Sequence, residues 1–320
     1  MKYLITGGSG FIGTNLVSRL QELGHEVLNL DIERPRCSEH ASLHQFCDVR
    51  KLEELSVYVS GFQPDILIHL AARTDLLGKK LEDYNANTLG VANVCEAVSK
   101  CNSISSVLFA SSMLVNKPGH LPSDKGDYSP HTVYGESKVV GESIVQDWKS
   151  KLPKSVIFRP TSIWGPWFSE PYVNFFRSVL KGHFVNIGER FGKKTFGYVG
   201  NAVNQIISLS ELEHEGKLPI YIGDSPGINP GDWADKISIE AKRSKPTKVP
   251  YALLKALALI GDICKLVGIK FPMTSFRLTN MTTNNVLDCN LVEKNNTFEK
   301  ISMIDGINST INWMNKNENH

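Results

Sequence analysis

Thr6 to Gly13 reads TGGSGFIG, four glycines in eight residues, set between the apolar run KYLIT and a stretch of helical period. At a junction of strand and helix, such a turn lets the main chain approach a pyrophosphate at Gly10 and lets helix pack on strand at Gly13. Gly7 and Gly8 supply the turn itself. From Phe11 to Leu23, residues Ile12, Leu16, Val17, Leu20 and Leu23 fall on one helical stripe, and Gly24 stands where a C-cap belongs. The helix so defined points its N-terminus, where N–H groups lack partners, at whatever anion the turn admits.

The runs KYLIT, EVLNLD, SLHQF, DILIHLA, SVLFAS and SVIFRP are short and rich in Val, Ile and Leu, as strands buried on both faces are. Stretches of helical period separate them. This alternation predicts an α/β fold, a Rossmann-like doubly wound parallel sheet that binds ligands beyond the carboxyl ends of its strands. After Pro166 the alternation weakens and Gly, Pro and aromatic residues punctuate shorter segments. We therefore expect a nucleotide-binding domain over 1–165 and a smaller substrate lobe over 166–320, with segments around 195–225 returning to the first domain. Asp31 closes the second strand, in LNLD, where a carboxylate accepts both ribose hydroxyls of adenosine and repels a 2′-phosphate. NAD is expected over NADP, although Arg34 and Arg36 lie close by.

Composition removes other classes. The net charge is +2, from 35 basic and 33 acidic residues, and no Lys or Arg run marks a nucleic-acid site. Cys37, Cys47, Cys95, Cys101, Cys264 and Cys289 form no CxxC pair and no metal-ligand spacing with histidine, so reduced thiols, cytoplasm and no metal are expected. Residues 249–271 are the most apolar part of the C-terminal third, yet Lys255, Asp262 and Lys265 interrupt them. A membrane span needs about 20 uninterrupted apolar residues, so an amphipathic helix is expected instead, packed on the protein in preference to lying on a membrane surface.

YGESK, Tyr134 to Lys138, sets a phenol and an ammonium four residues apart, on one helical face and within reach of a shared ligand. Together with TGGSGFIG, it resembles the extended short-chain dehydrogenase/reductase family, which includes NAD-dependent nucleotide-sugar epimerases. HLAA (His69–Ala72), NTLG with Asn87 and Gly90, the pair Asp48 and Val49, FASS ending at Ser112, and RPTSIWGP (Arg159–Pro166) follow in the family's order. The resemblance implies catalysis by Ser112, Tyr134 and Lys138. It implies cofactor contacts from Gly7, Gly10, Phe11, Ile12, Gly13, Asp31, Asp48, Val49, Leu70, Ala71, Ala72 and Asn87, besides Tyr134 and Lys138. Arg73 and Lys194 are the implied substrate contacts, and Lys194 aligns with an arginine the family uses on the nucleotide diphosphate.

In that family the tyrosine is the acid/base and the lysine holds the nicotinamide ribose. The ammonium and the positive nicotinamide ring are expected to draw the phenol down from about 10 toward the working pH. Family dehydratases carry an acidic pair after the catalytic hydroxyl, where this chain has Met113 and Leu114, which transfer no proton. Asn116 replaces a usual tyrosine, and Gly200 with Asn201 replaces an acidic pair. The expectation is a nucleotide-sugar epimerase working through a keto intermediate, as a homodimer. A one-way dehydrogenase of a nucleotide sugar or a 3β-hydroxysteroid is the alternative, since residues 271–286 resemble the steroid branch of the family.

Overall fold

The computed structural model describes residues 1–212, 217–266, 268, 269, 271 and 273–317. Its first part alternates as the apolar runs require: β1 (Lys2–Thr6), α1 (Phe11–Glu22), β2 (Glu26–Asp31), β3 (His44–Phe46), α2 (Leu52–Phe62), β4 (Ile66–His69), α3 (Leu89–Ser99), β5 (Ser106–Ala110), α4 (Val133–Trp148) and β6 (Lys154–Pro160). The chain continues through β7 (Ser162–Trp164), α5 (Tyr172–Leu180), β8 (Val185–Asn186), β9 (Lys194–Tyr198), α6 (Val199–Glu211), β10 (Ile220–Ile222), β11 (Asp224–Ile228) and α7 (Pro230–Glu240). It ends with β12 (Thr247–Lys248), α8 (Tyr251–Leu266), α9 (Ser275–Thr282), α10 (Asn290–Lys294) and α11 (Met303–Asn317).

Seven strands form the central sheet in the order β10-β6-β5-β4-β1-β2-β3, and every neighbouring pair is parallel. Consecutive β1 and β2 pair on one side of β1, while β4 pairs on the other, so the winding reverses between β1 and β4. A crevice opens there, beyond the carboxyl ends of the strands. One face of the sheet is covered by α2, α3 and α4 around Leu55, Val59, Val94, Val98 and Val145; the other packs on α1 and α6 through Leu16, Leu20, Val203 and Ile206. Residues 199–222 bring α6 and the edge strand β10 to this sheet from beyond β7 and β9.

The remaining residues build a smaller mixed layer in which β9 lies between β7 and β11. An aromatic cluster joins it to α5 and α7: Trp233 stacks on Phe175 at 4.6 Å, and Trp164 stacks on Phe176 at 5.6 Å, both Trp residues almost wholly buried. Trp164 is thus a core residue, and Trp167 packs against Trp313 of α11. Large buried rings of this kind dominate packing energetics, which explains how so small a sheet is held against its helices. In the apolar stretch 249–271, α8 covers Tyr251–Leu266, while Val267 and Lys270 lie outside the described residues. Among the described residues no helix is long and apolar enough to cross a membrane.

One buried ion pair ties helix to sheet. The Glu142 carboxylate on α4 accepts from Arg159 Nε and Nη2, each at 2.8 Å, with both side chains almost fully inaccessible. It also accepts from the hydroxyls of Ser111, at 2.5 Å, and Tyr128, at 2.8 Å. Burial opposes the charge on Arg159, but the Glu142 hydrogen bonds and charge win and hold it above its ordinary value. Breaking a buried pair leaves an uncompensated charge at a cost of about 3–5 kcal/mol, whereas replacing both members with apolar groups is far milder. Glu142→Leu alone is expected to lower the urea unfolding midpoint much more than Glu142→Leu with Arg159→Met.

Candidate active site

The glycine turn is built as a cradle. Gly7 has φ +77°, donates to the Leu30 carbonyl at 2.8 Å, and lies so close to β4's end that a Cβ there would meet the Ala71 nitrogen at 2.5 Å. A Cβ on Gly13 would overlap the Gly7 carbonyl oxygen. Gly10 is the N-cap of α1; no side chain caps this end and no acidic residue occupies the first turn. The N–H groups at Phe11 and Ile12 therefore face the crevice with no competing carboxylate, as an anion site requires.

Asp31 stands at the rim. Its Oδ2 accepts from Ser9 N–H and its Oδ1 from Glu33 N–H, both at 2.9 Å, which fixes the carboxylate across the turn. Arg36 donates to the Trp167 carbonyl at 2.7 Å, so it is engaged with the smaller lobe, while Arg34 lies exposed. Asp48 is paired with Arg50 by hydrogen bonds of 2.6 to 3.1 Å, and buried Val49 packs under Gly90. Leu70, Ala71 and Ala72 line the crevice opposite the cradle, half-buried, with Leu70 N–H bonded to the Thr6 carbonyl at 2.9 Å.

Asn87 is wholly buried. Its Oδ1 accepts from Arg73 N–H at 2.8 Å, and its Nδ2 donates to the Arg73 carbonyl at 3.0 Å and to Ser137 Oγ at 2.9 Å. It touches the site through Arg73 and Ser137, pinning the 70–73 loop to α4 one residue before Lys138. Arg73 pairs its guanidinium with Asp75 at 2.7 Å and lies over the Tyr84 ring.

The structure brings Ser112, Tyr134 and Lys138 together, all buried, at the carboxyl end of β5. Thr132 caps α4 by accepting from Gly135 N–H at 3.0 Å, which sets the helix start just before Tyr134. Ser112 Oγ accepts from Leu114 N–H at 3.1 Å and lies where its hydroxyl favours the ionised Tyr134 phenol, while Lys138 Nζ donates to the Ala110 carbonyl at 2.9 Å.

Within the chain alone, burial shifts both groups away from their charged forms. Burial pushes the Tyr134 phenol up to about 12, against the opposing Ser112 hydrogen bond. Burial likewise lowers Lys138 to about 8, although the Glu142 carboxylate pulls it up. The downward shift expected of Tyr134 needs a positive ring beside it. Within the chain alone, desolvation is the larger effect and the Lys138 ammonium is turned to Ala110. His69 is held neutral, lowered to about 3 by burial and by the Lys138 charge, with Nδ1 bonded to Thr6 Oγ1 at 2.7 Å.

Lys194 opens β9 in the smaller layer, where it bridges to Asn285. Its Nζ donates to the Asn280 carbonyl at 3.0 Å, and burial lowers its pKa. Two substitutions noted in the sequence prove structural. Asn201 donates to the Asp224 carboxylate and to the Ile301 carbonyl, both at 3.0 Å, where an aspartate would meet a second carboxylate. Asn116 donates to the Asp127 carbonyl at 2.9 Å. Reading the sequence did not find the Glu142 network, because Ser111, Tyr128, Glu142 and Arg159 follow no shared spacing; the Glu at the eighth residue after Tyr134, on the same helical face, was the available signal.

Cradle, rim carboxylate and a Ser, Tyr, Lys cluster across one crevice define a dinucleotide-binding enzyme of the short-chain dehydrogenase type. The description "NAD dependent epimerase/dehydratase family" matches residues 3–221, and the chain belongs to that family, with NAD as its cofactor. It is 26% identical to the N-acetyl-alpha-D-glucosaminyl-diphospho-ditrans,octacis-undecaprenol 4-epimerase of Escherichia coli O157:H7, over 97% of this chain and 94% of that one. It is 30% identical to a 3-beta-hydroxysteroid dehydrogenase of Mycolicibacterium neoaurum, over 77% of this chain and 71% of that one. Among solved structures it is similar to a UDP-glucose 4-epimerase from Thermotoga maritima, with TM-score 0.75, 18% identity and 99% of each chain covered.

The rim carboxylate generates a test. NAD is expected to bind at least about tenfold tighter than NADP, and Asp31→Ala to shrink that ratio, as read by calorimetric titration. Tighter binding of NADP by the unaltered chain would overturn the role given to Asp31.

Proposed function

We propose that this chain is an NAD-dependent epimerase of a hexose carried on a diphosphate, with a nucleotide sugar as the primary reading of the carrier. The observation that carries it is the buried Ser112–Tyr134 hydroxyl pair beside Lys138, followed by Met113 and Leu114 instead of proton-transferring residues. The cluster can remove and return one hydroxyl proton, and nothing beside Ser112 supports elimination of water.

Each residue has a part. Ser112 hydrogen-bonds the reacting hydroxyl and aims it at the Tyr134 oxygen, which takes its proton; positioned acid/base groups contribute roughly 10²–10⁴ in rate. Lys138, fixed by the Ala110 carbonyl, holds the nicotinamide ribose and stabilises the phenolate. Bound NAD would supply hydride acceptance and return, and the charge on its ring would favour the Tyr134 phenolate against the burial that raises its pKa. Lys194, half-buried with a carbonyl as its partner, suits the substrate diphosphate, and Arg73 lies near the opposite wall. The relative that spans nearly the whole chain acts, by its name, on a sugar held on a polyprenyl diphosphate, so hexosyl diphosphate is the shared chemistry. We read the enzyme as a cytoplasmic homodimer.

The steroid dehydrogenase relative, at 30% identity, favours a second reading as a one-way dehydrogenase. A panel of UDP-, GDP- and dTDP-hexoses, followed by NMR for sugars and absorbance for NADH, separates the two. Interconversion of isomers without accumulating NADH is expected. NADH rising mole for mole with a keto product, or reaction of a hydroxysteroid alone, would replace the epimerase. Tyr134→Phe is expected to lose most turnover while still binding NAD, and Lys138→Met to weaken both.

A further inference from the structure

Helix α8 is apolar on two opposite faces. Leu254, Ala258 and Gly261 are buried at spacings of four and three, packing with Leu278 of α9 against Ile187 and Phe191. On the far side Leu253, Leu259, Ile260, Ile263 and Leu266 are 48 to 87% exposed, and Phe276 of α9 is 72% exposed. A surface helix ordinarily shows one apolar stripe with polar residues on the opposite face, so a second apolar face calls for a second partner. Contiguous exposed apolar surface of this kind marks a site of interaction.

Charge says what the partner is. Residues 241–280 hold eight of the 35 basic residues and one of the 33 acidic ones, leaving 27 basic and 32 acidic elsewhere in a chain of net charge +2. Lys242, Arg243, Lys245 and Lys248, in the segment leading into α8, are all exposed, and Lys255 is exposed about a quarter turn from the outer apolar face. The lone acid, Asp262, accepts from Ser275 N–H at 3.1 Å and caps the turn into α9. An exposed apolar helix face in so basic a stretch complements an anionic lipid surface, where side chains enter the acyl boundary and cations meet headgroups. A two-fold contact between copies would instead bring two such basic stretches together.

We propose that residues 242–248, α8 and the start of α9 dock the protein on an anionic membrane surface, with α8 lying in the headgroup layer and not crossing it. The placement serves the site. Asn280, at the end of α9, carries the carbonyl bound by Lys194, and the segment that follows brings Asn285 Nδ2 to 4.0 Å from the sulfur of Met113, next to Ser112. The docked helix is thus joined through one short segment to Lys194 and to the residue after Ser112, so a sugar diphosphate tethered to lipid would meet the site at the membrane. Docking itself does not depend on the epimerase reading.

Sedimentation of the full chain with vesicles tests it, using phosphatidylcholine alone and phosphatidylcholine mixed with phosphatidylglycerol. Binding to the mixed vesicles, weakening as salt rises, is expected, with little binding to phosphatidylcholine alone. Ile263→Ser with Leu266→Ser should reduce it at least about tenfold. Lys242→Glu with Arg243→Glu should remove the preference for the anionic lipid. Both variants alter exposed side chains and should keep the parent's melting temperature and NAD affinity. Equal sedimentation of parent and variants would overturn the proposal, as would absent vesicle binding with a variant-induced change from dimer to monomer. Because the readout is binding, an inactive epimerase would leave this result intact.

Discussion

Where β1 and β4 end, the main chains of Gly7 and Ala71 come into a contact that leaves no room for a side chain on Gly7. The approach occurs at the reversal of the sheet's winding, and it brings the anion cradle on one loop face to face with the 70–73 loop on the other. Asn87 then fixes that second loop to α4 through Arg73 and Ser137, and the Glu142–Arg159 pair fixes α4 to the sheet. Each connection sits at a carboxyl end of a strand. The position of Tyr134 against the cradle is therefore set by backbone contact and buried hydrogen bonds, with little left to loop conformation.

Burial also sets the electrostatic state of the site. A phenol raised to about 12 beside an amine lowered to about 8 describes two groups that both resist charge. Such a site is poised to respond to a bound cation. Desolvation that opposes the phenolate in the chain alone also strengthens its attraction to a positive ring once water has been excluded. The same burial keeps His69 neutral, so it stays a hydrogen-bond partner of Thr6 and adds no competing charge next to Lys138.

The smaller lobe is organised on other principles. Its interior depends on stacked aromatic rings around Trp164 and Trp233, while its outer helices present a second apolar face in a basic stretch. Strand β9, which carries Phe196 into the aromatic cluster, also reaches the end of α9 through Lys194. The lobe's aromatic interior and its outer helices are in this way joined in one short stretch of chain.

The sequence alone determined the order of strands and helices, because parallel strands buried on both faces must read as apolar runs and a helix must show its 3.6-residue period. It also located the cradle, the rim carboxylate Asp31 and the Ser112, Tyr134, Lys138 set, since these rest on local spacing and on motif order. Only the tertiary structure decided that Asn87 acts through Arg73 and Ser137, that Asn201 answers Asp224, and that Glu142 binds Arg159, Ser111 and Tyr128 at once. It likewise decided the direction of the Tyr134 shift, and which of α8's two apolar faces is covered. The physical reason is common to all of them. Hydrogen bonds, desolvation and burial depend on which groups from distant parts of the chain meet, and no periodicity along the chain records that.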